Sequence, residues 1–109
     1  MNERLKRLRR ILKRLSIDAL LVSNPSNIFY LTGFAGQDSL LVVSRSSAHI
    51  ITDFRYKEEA RMCGPGFTVV SEKGGLNEKA ACITRKLPLA VTRMQFSVVP
   101  DILSYIIKN

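Results

Sequence analysis

The stretch NPSNIFYLTGFAGQDSLLVVSRSSAHIITDFRYKEEAR, Asn24 to Arg61, decides the fold. Asn24-Pro25 reads as a turn, because proline fixes its own φ and pushes the residue before it out of the helical region. A compact, aromatic-rich segment follows, Ile28-Phe29-Tyr30-Leu31. It closes on Thr32-Gly33-Phe34-Ala35-Gly36, whose glycines permit backbone conformations that other residues resist. Two β-rich runs come next, Leu40–Ser44 and Ala48–Thr52, and the polar Arg45-Ser46-Ser47 between them marks a hairpin. Asp53 then leads through Phe54-Arg55-Tyr56 into a helix-compatible stretch, Lys57–Met62.

On the N-terminal side, Leu5, Leu8, Ile11, Leu12 and Leu15 recur at spacings of three and four, one apolar stripe of an amphipathic helix. Arg4, Lys6, Arg7, Arg9, Arg10, Lys13 and Arg14 fill its other faces. Ser16-Ile17-Asp18 breaks the pattern, and Ala19–Val22 reads as a short buried strand. On the C-terminal side, Gly64-Pro65-Gly66 must stop the preceding helix, since proline cannot continue it. Phe67–Ser71 is another β-rich run, Gly74-Gly75 a loop, and Leu76–Leu87 helix-compatible up to Pro88. Ala90–Phe96 reads as a last strand, and Pro100 opens a final helix, Asp101–Lys108, with Asp101 near its positive end. Strands alternating with helices around one hairpin predict an α/β fold, a mixed β-sheet flanked by helices.

With 109 residues there is room for one domain. Hydrophobic content of 46% and charge of 24% are ordinary globular values and argue against disorder. The net charge of +8 is not ordinary, and residues 1–16 carry seven Lys/Arg against one Glu, so the rest is close to neutral. A helix that feeds directly into a core strand has its apolar face occupied, so the bland reading, leucines docked on a sheet and cations solvated, outweighs a nucleic-acid or membrane-surface role. The sequence contains neither the apolar core of a signal peptide nor an apolar run near 18 residues, which makes the cytoplasm the expected compartment and a membrane an unexpected partner. Cys63 and Cys82 have no CxxC spacing and read as idle or buried thiols.

The search for chemistry returns few candidates. Gly33-x-x-Gly36 matches neither phosphate-cradling glycine pattern. His49 is the single histidine and lies inside a β-rich run, where a hydrogen-bonded or surface role is favoured over a catalytic one. Glu58-Glu59 point apart on a helix, with Arg55 or Arg61 in reach to pair with them. The residues with a functional reading are Tyr30, Phe34, Asp38 and Arg55, because open α/β sheets hold ligands near strand ends and arginine grips a carboxylate with two parallel hydrogen bonds. Their structural reading is packing of Tyr30 and Phe34 under the loop and pairing of Arg55 with Asp38 or Asp53.

The string NPSNIFYLTGF with the loop GQDSLLVV and ITDFRYKEEA resembles the N-terminal domain of the creatinase/prolidase/aminopeptidase P family, the Xaa-Pro peptidases with a pita-bread catalytic domain. The resemblance covers nearly the whole chain and implies a ribonuclease-H-like mixed sheet. It implies one non-catalytic domain over 1–109, with the metal ligands beyond Asn109 and no catalytic residue within the chain. Two divalent metal ions (Mn, Co or Zn) belong to the catalytic domain and none to this chain. It implies as partners the catalytic domain, a second subunit in a homodimer, and short peptides with proline second. Tyr30, Phe34 and Arg55 are carried over as substrate-proximal. Phe54 stands where the TD-G-RY form has glycine. A stand-alone peptide- or small-molecule-binding module at the Gly33–Asp38 loop, and a nucleic-acid-binding helix, are the alternatives.

Overall fold

The computed structural model describes residues 3–16, 19–75, 78–79, 81 and 94–97. Its centre is a five-stranded sheet built from β1 (Ala19–Val22), β2 (Leu40–Ser44), β3 (Ala48–Thr52), β4 (Thr68–Ser71) and β5 (Met94–Ser97), in the order β4-β3-β2-β1-β5. The pairs β1/β2 and β2/β3 are antiparallel, whereas β3/β4 and β1/β5 are parallel. The mixed α/β sheet expected from the sequence is therefore present. The hairpin falls on the expected residues, Val43 opposite Ala48 and Leu40 opposite Ile51. Its turn is held by side chains as well as backbone: Ser44 N–H donates to Ser47 O at 2.8 Å and Ser47 N–H to Ser44 Oγ at 2.9 Å.

The helices α1 (Glu3–Arg14), α2 (Pro25–Thr32) and α3 (Lys57–Arg61) accompany the sheet. Leu5, Leu8, Ile11 and Leu12 of α1 join Leu20, Val22, Leu41, Val43, Ala48 and Ile50 in one core cluster. By strand alternation these strand residues share one face of the sheet. Ile28 and Leu31 of α2, Phe34, and Ala60 of α3 complete this layer. Each such aliphatic burial stabilises by about 1.5–3 kcal/mol relative to exposure. The opposite face, with Ala19, Leu21, Leu40, Val42, His49 and Ile51, is buried as well. That explains why β2 and β3 read as continuous apolar runs rather than alternating ones.

Three readings change. Asn24-Pro25 is not a free turn but the start of α2: Asn24 is its N-cap, its side chain accepting from Ser26 N–H at 2.9 Å and Asn27 N–H at 3.3 Å. Proline at the first helical position loses no hydrogen bond, because that N–H has no partner in any helix. The aromatic segment Ile28–Leu31 is accordingly helical, and Gly33 ends the helix in the left-handed region at φ 81°, donating to Phe29 O at 2.8 Å. Leu15 drops out of the α1 stripe and is 48% exposed, because the helix stops at Arg14 and Ser16 turns the chain at φ 57°. The described part of the last strand, Met94–Ser97, runs one residue beyond the expected Phe96. Of the expected helix Leu76–Leu87 only Glu78, Lys79 and Ala81 are described, and they are helical. Residues 90–93, Cys82 and the expected final helix, Asp101–Lys108, lie outside the described residues.

Gly36 is the glycine that packing demands, since a Cβ there would clash with Cζ of the Phe34 ring. Gly36→Ala is expected to cost about 1–3 kcal/mol in urea denaturation. Gly66→Ala, with nothing within 4 Å of its new methyl group, should stay within about 0.5 kcal/mol of the parent. Equal midpoints for the two variants would contradict this placement of Phe34.

Candidate functional site

One end of the sheet collects the C-terminal ends of β1, β3, β4 and β5, with the N-terminal end of β2 between them. Such ends are where open α/β sheets hold ligands. Two loops arrive there, 33–39 before β2 and the 3-10 turn Phe54–Tyr56 after β3. They are tied by a buried hydroxyl pair, Ser39 Oγ and Thr52 Oγ1 at 2.8 Å. Ser39 donates its own proton to Gln37 O at 3.0 Å, so Thr52 is the donor in the pair.

Thr32 and Phe34 set the course of the first loop. Thr32 Oγ1 donates to Ile28 O at 2.7 Å and accepts from Phe34 N–H at 2.9 Å, linking the last turn of α2 to the loop. Phe34 is 2% exposed and meets Tyr56 edge-on, ring centroids 6.3 Å apart at 76°. It is thus an anchor beneath the loop. Asp38 stands exposed on the same loop at φ 50°, a left-handed conformation that aspartate tolerates better than most residues.

Arg55 is fixed by Asp53. Nη2 lies 2.8 Å from Oδ2 and Nε 3.3 Å from Oδ1, while Arg55 N–H donates to Oδ1 at 3.0 Å. The guanidinium holds the Asp53 carboxyl below its usual value, and the charge of buried Lys79 adds to the effect. In return Asp53 raises Arg55, with smaller contributions from Tyr56 and Asp38. The guanidinium carbon sits 5.2 Å from the Tyr56 ring centroid. The Arg55 side chain remains 69% exposed, so the donors not taken by Asp53 face solvent in a preset orientation. Chemically this is an anchored fork able to receive a carboxylate.

Phe34, Asp38 and Arg55 therefore belong to one end of the sheet. Tyr30 belongs to another surface: Arg4 lies over its ring at 4.1 Å and donates from Nη1 to its carbonyl at 2.8 Å. These two residues border a hollow of about 450 Å³ with Phe29 and Gly33. Sequence reasoning passed over Tyr56, which props both Phe34 and Arg55, and Phe54, 79% exposed beside Arg55. The hydrophobic Phe54 in a polar D-x-R-Y turn was the available signal. Glu58 pairs with Arg61 at 2.8 Å rather than with Arg55.

His49 is neither on the surface nor paired through both nitrogens. It is 6% exposed, between Val42 and Thr68 in register, and its Nδ1 meets no hydrogen-bond partner among the described residues. Burial pushes its pKa below the usual value. Cys63 is a free, half-buried thiol, its pKa raised by burial and by Glu59. Among the described residues no three His, Cys, Asp or Glu side chains are grouped to hold a metal ion. No described helix is long and apolar enough to cross a membrane.

A five-stranded mixed sheet whose strand-end loops carry an anchored arginine defines a helix-flanked α/β domain. The creatinase/prolidase N-terminal domain family matches residues 4–100, and the chain belongs to that family. It is 38% identical over 78 residues to the uncharacterized peptidase YqhT of Bacillus subtilis, a match covering 72% of this chain and 22% of that protein. Among solved structures it resembles an Xaa-Pro dipeptidase from Bacillus anthracis, with TM-score 0.72, 26% identity, and coverage of 97% of this chain and 30% of that one. It also resembles the N-terminal domain of the cytoplasmic peptidase PepQ from Mycobacterium tuberculosis, with TM-score 0.74, 26% identity, and coverage of 99% and 85%. The chain thus spans less than a third of the length of YqhT and of the Bacillus anthracis dipeptidase.

The lowered pKa of His49 makes stability depend on pH on the acid side. Below about pH 6.5 the unfolded state binds a proton that the native state resists, so stability rises with pH up to that value. The urea midpoint should hold steady above about pH 7 and fall toward about pH 5. His49→Gln should flatten this fall, and an unchanged slope in that variant would assign the pH dependence elsewhere.

Proposed function

We propose that this chain acts as the non-catalytic N-terminal domain of a metal-dependent Xaa-Pro peptidase, a prolidase or aminopeptidase P type, and works in the cytoplasm. The observation that carries the reading is family membership over residues 4–100 together with coverage of only 22% and 30% of two whole peptidases. Hydrolysis then belongs to a separate catalytic domain. Two divalent ions (Mn, Co or Zn) would supply activated water and carbonyl polarisation there. The donor set described on this chain does not fit such an ion, and no step is assigned to a metal here.

The role of the domain is to cover the catalytic mouth and shape access for short peptides with proline second. The end of the sheet bearing Asp38, Phe54 and Arg55 is the surface suited to it. Arg55 is preset by Asp53 and retains outward donors for a peptide carboxylate. Exposed Phe54 offers an apolar contact to the catalytic domain or to a second subunit of a homodimer, in keeping with the weight that aromatic residues carry at interfaces.

Two measurements test this. An immunoblot of source cells should reveal a product on the order of 40 kDa, the size of a two-domain protein. A sole band at 12.3 kDa would instead support a free-standing binding module. In the two-domain enzyme, Arg55→Gln should raise KM for an Xaa-Pro dipeptide about tenfold or more, the loss of a charge-assisted hydrogen bond, with kcat little changed. An unchanged KM would reduce Arg55 to the structural partner of Asp53.

A further inference from the structure

The opposite end of the sheet, where the β2–β3 turn meets α1, has a different character. Lys6, Arg9, Arg10 and Lys13 of α1 and Arg45 of the turn border one hollow of about 450 Å³. Lys6, Arg10 and Lys13 follow one another at four- and three-residue steps, so they form a row on one helix face about 10 Å long. Arg9 crosses from α1 to the sheet, its Nε donating to Ser44 O at 3.0 Å. Among the described residues, the α1 cations Lys6, Arg9, Arg10 and Lys13 meet one weak ion pair, Lys6 to Glu3 at 3.4 Å, both side chains exposed. Arg10 and Lys13 have no carboxylate partner among the described residues.

A second cleft, of about 890 Å³, adjoins this row and shares Lys6 and Arg9 with it. Its walls combine the apolar Leu5 and Phe67 with the hydroxyls of Ser46 and Thr68. A row of cations opening onto a cleft with an aromatic side chain is the arrangement that tracks a phosphate backbone while accepting a base. A membrane surface fits poorly, because the apolar stripe of α1 is spent on the core, with Leu5, Leu8 and Leu12 at most 4% exposed. An acidic protein surface would satisfy the cations but leave the apolar cleft unused.

We propose that this face binds single-stranded nucleic acid without sequence preference, phosphates lying along Lys6, Arg9, Arg10 and Lys13 and a base entering the cleft against Phe67. The site is independent of the strand-end surface assigned to substrate access, and either reading survives failure of the other.

The test is fluorescence anisotropy of a labelled oligouridylate of about twelve nucleotides with the 109-residue chain, across a salt series. With about four phosphates neutralised, the log–log salt slope should be near −3, roughly a fifty-fold loss of affinity between about 50 and about 200 mM salt. Lys6→Gln/Arg10→Gln/Lys13→Gln should bring the slope to about −1 and lower affinity at least about twenty-fold at low salt. Lys57→Gln/Lys73→Gln, two cations bordering neither hollow, should stay within about twofold. Phe67→Leu, which keeps the core filled, should weaken binding about threefold or more. Far-UV circular dichroism checks that each variant is folded. A triple variant that keeps the parent slope, a control pair that loses as much as the triple, or equal competition by polyglutamate at matched charge would each overturn the proposal.

Discussion

The Phe34 ring is held over a bare Gly36 backbone and edge-on against Tyr56, and much of the strand-end architecture depends on that contact. It fastens the loop before β2 to the turn after β3, Phe34 and Tyr56 being 22 residues apart in sequence. Tyr56 in turn lies against the Arg55 guanidinium, which Asp53 grips from the other side. Packing thus determines electrostatics here: the aromatic pair fixes the backbone of the turn, the backbone places Asp53 as its cap, and the cap orients the arginine. A partner that binds Arg55 has little orienting entropy left to overcome, because the fold has already restricted the side chain.

Charge is divided along the molecule. The end formed by α1 and the hairpin turn concentrates cations, and among the described residues Lys6, Arg9, Arg10 and Lys13 share a single weak carboxylate contact. The strand-end surface pairs its charges, Asp53 with Arg55 and Glu58 with Arg61 nearby on α3. Leucines and cations share α1 without conflict, since the leucines face the sheet while Arg9 reaches Ser44 O and Arg4 the Tyr30 carbonyl.

Much of the fold was legible because the signals were local. The hairpin limits emerged intact from apolar runs and a serine-rich turn, and the α1 stripe was correct through Leu12. Leu15 was misread because periodicity alone does not reveal that Ser16 ends the helix with positive φ. Asn24-Pro25 was ambiguous for a physical reason, since the same dipeptide opens a turn or caps a helix, and only Ser26 and Asn27 N–H bonding to Asn24 decides. In the site, Asp53 was one of two carboxylates the sequence offered Arg55, and proximity decides for it. The roles of Tyr56 and Gly36 were illegible, because the contact joining them to Phe34 exists only after β2 and β3 pair.

The sheet order also says something about how the chain is made. β1, β2 and β3 follow one another as an antiparallel meander that can close within the first half of the chain. The other neighbour of β1 is β5, which pairs in parallel from Ala19 to Met94, about seventy-five residues later. During synthesis at roughly 5–20 residues per second, β1 would stand as a bare edge for several seconds, with its backbone N–H and C=O groups open on that side. Completion of the sheet therefore waits on the described strand pairing most distant in sequence.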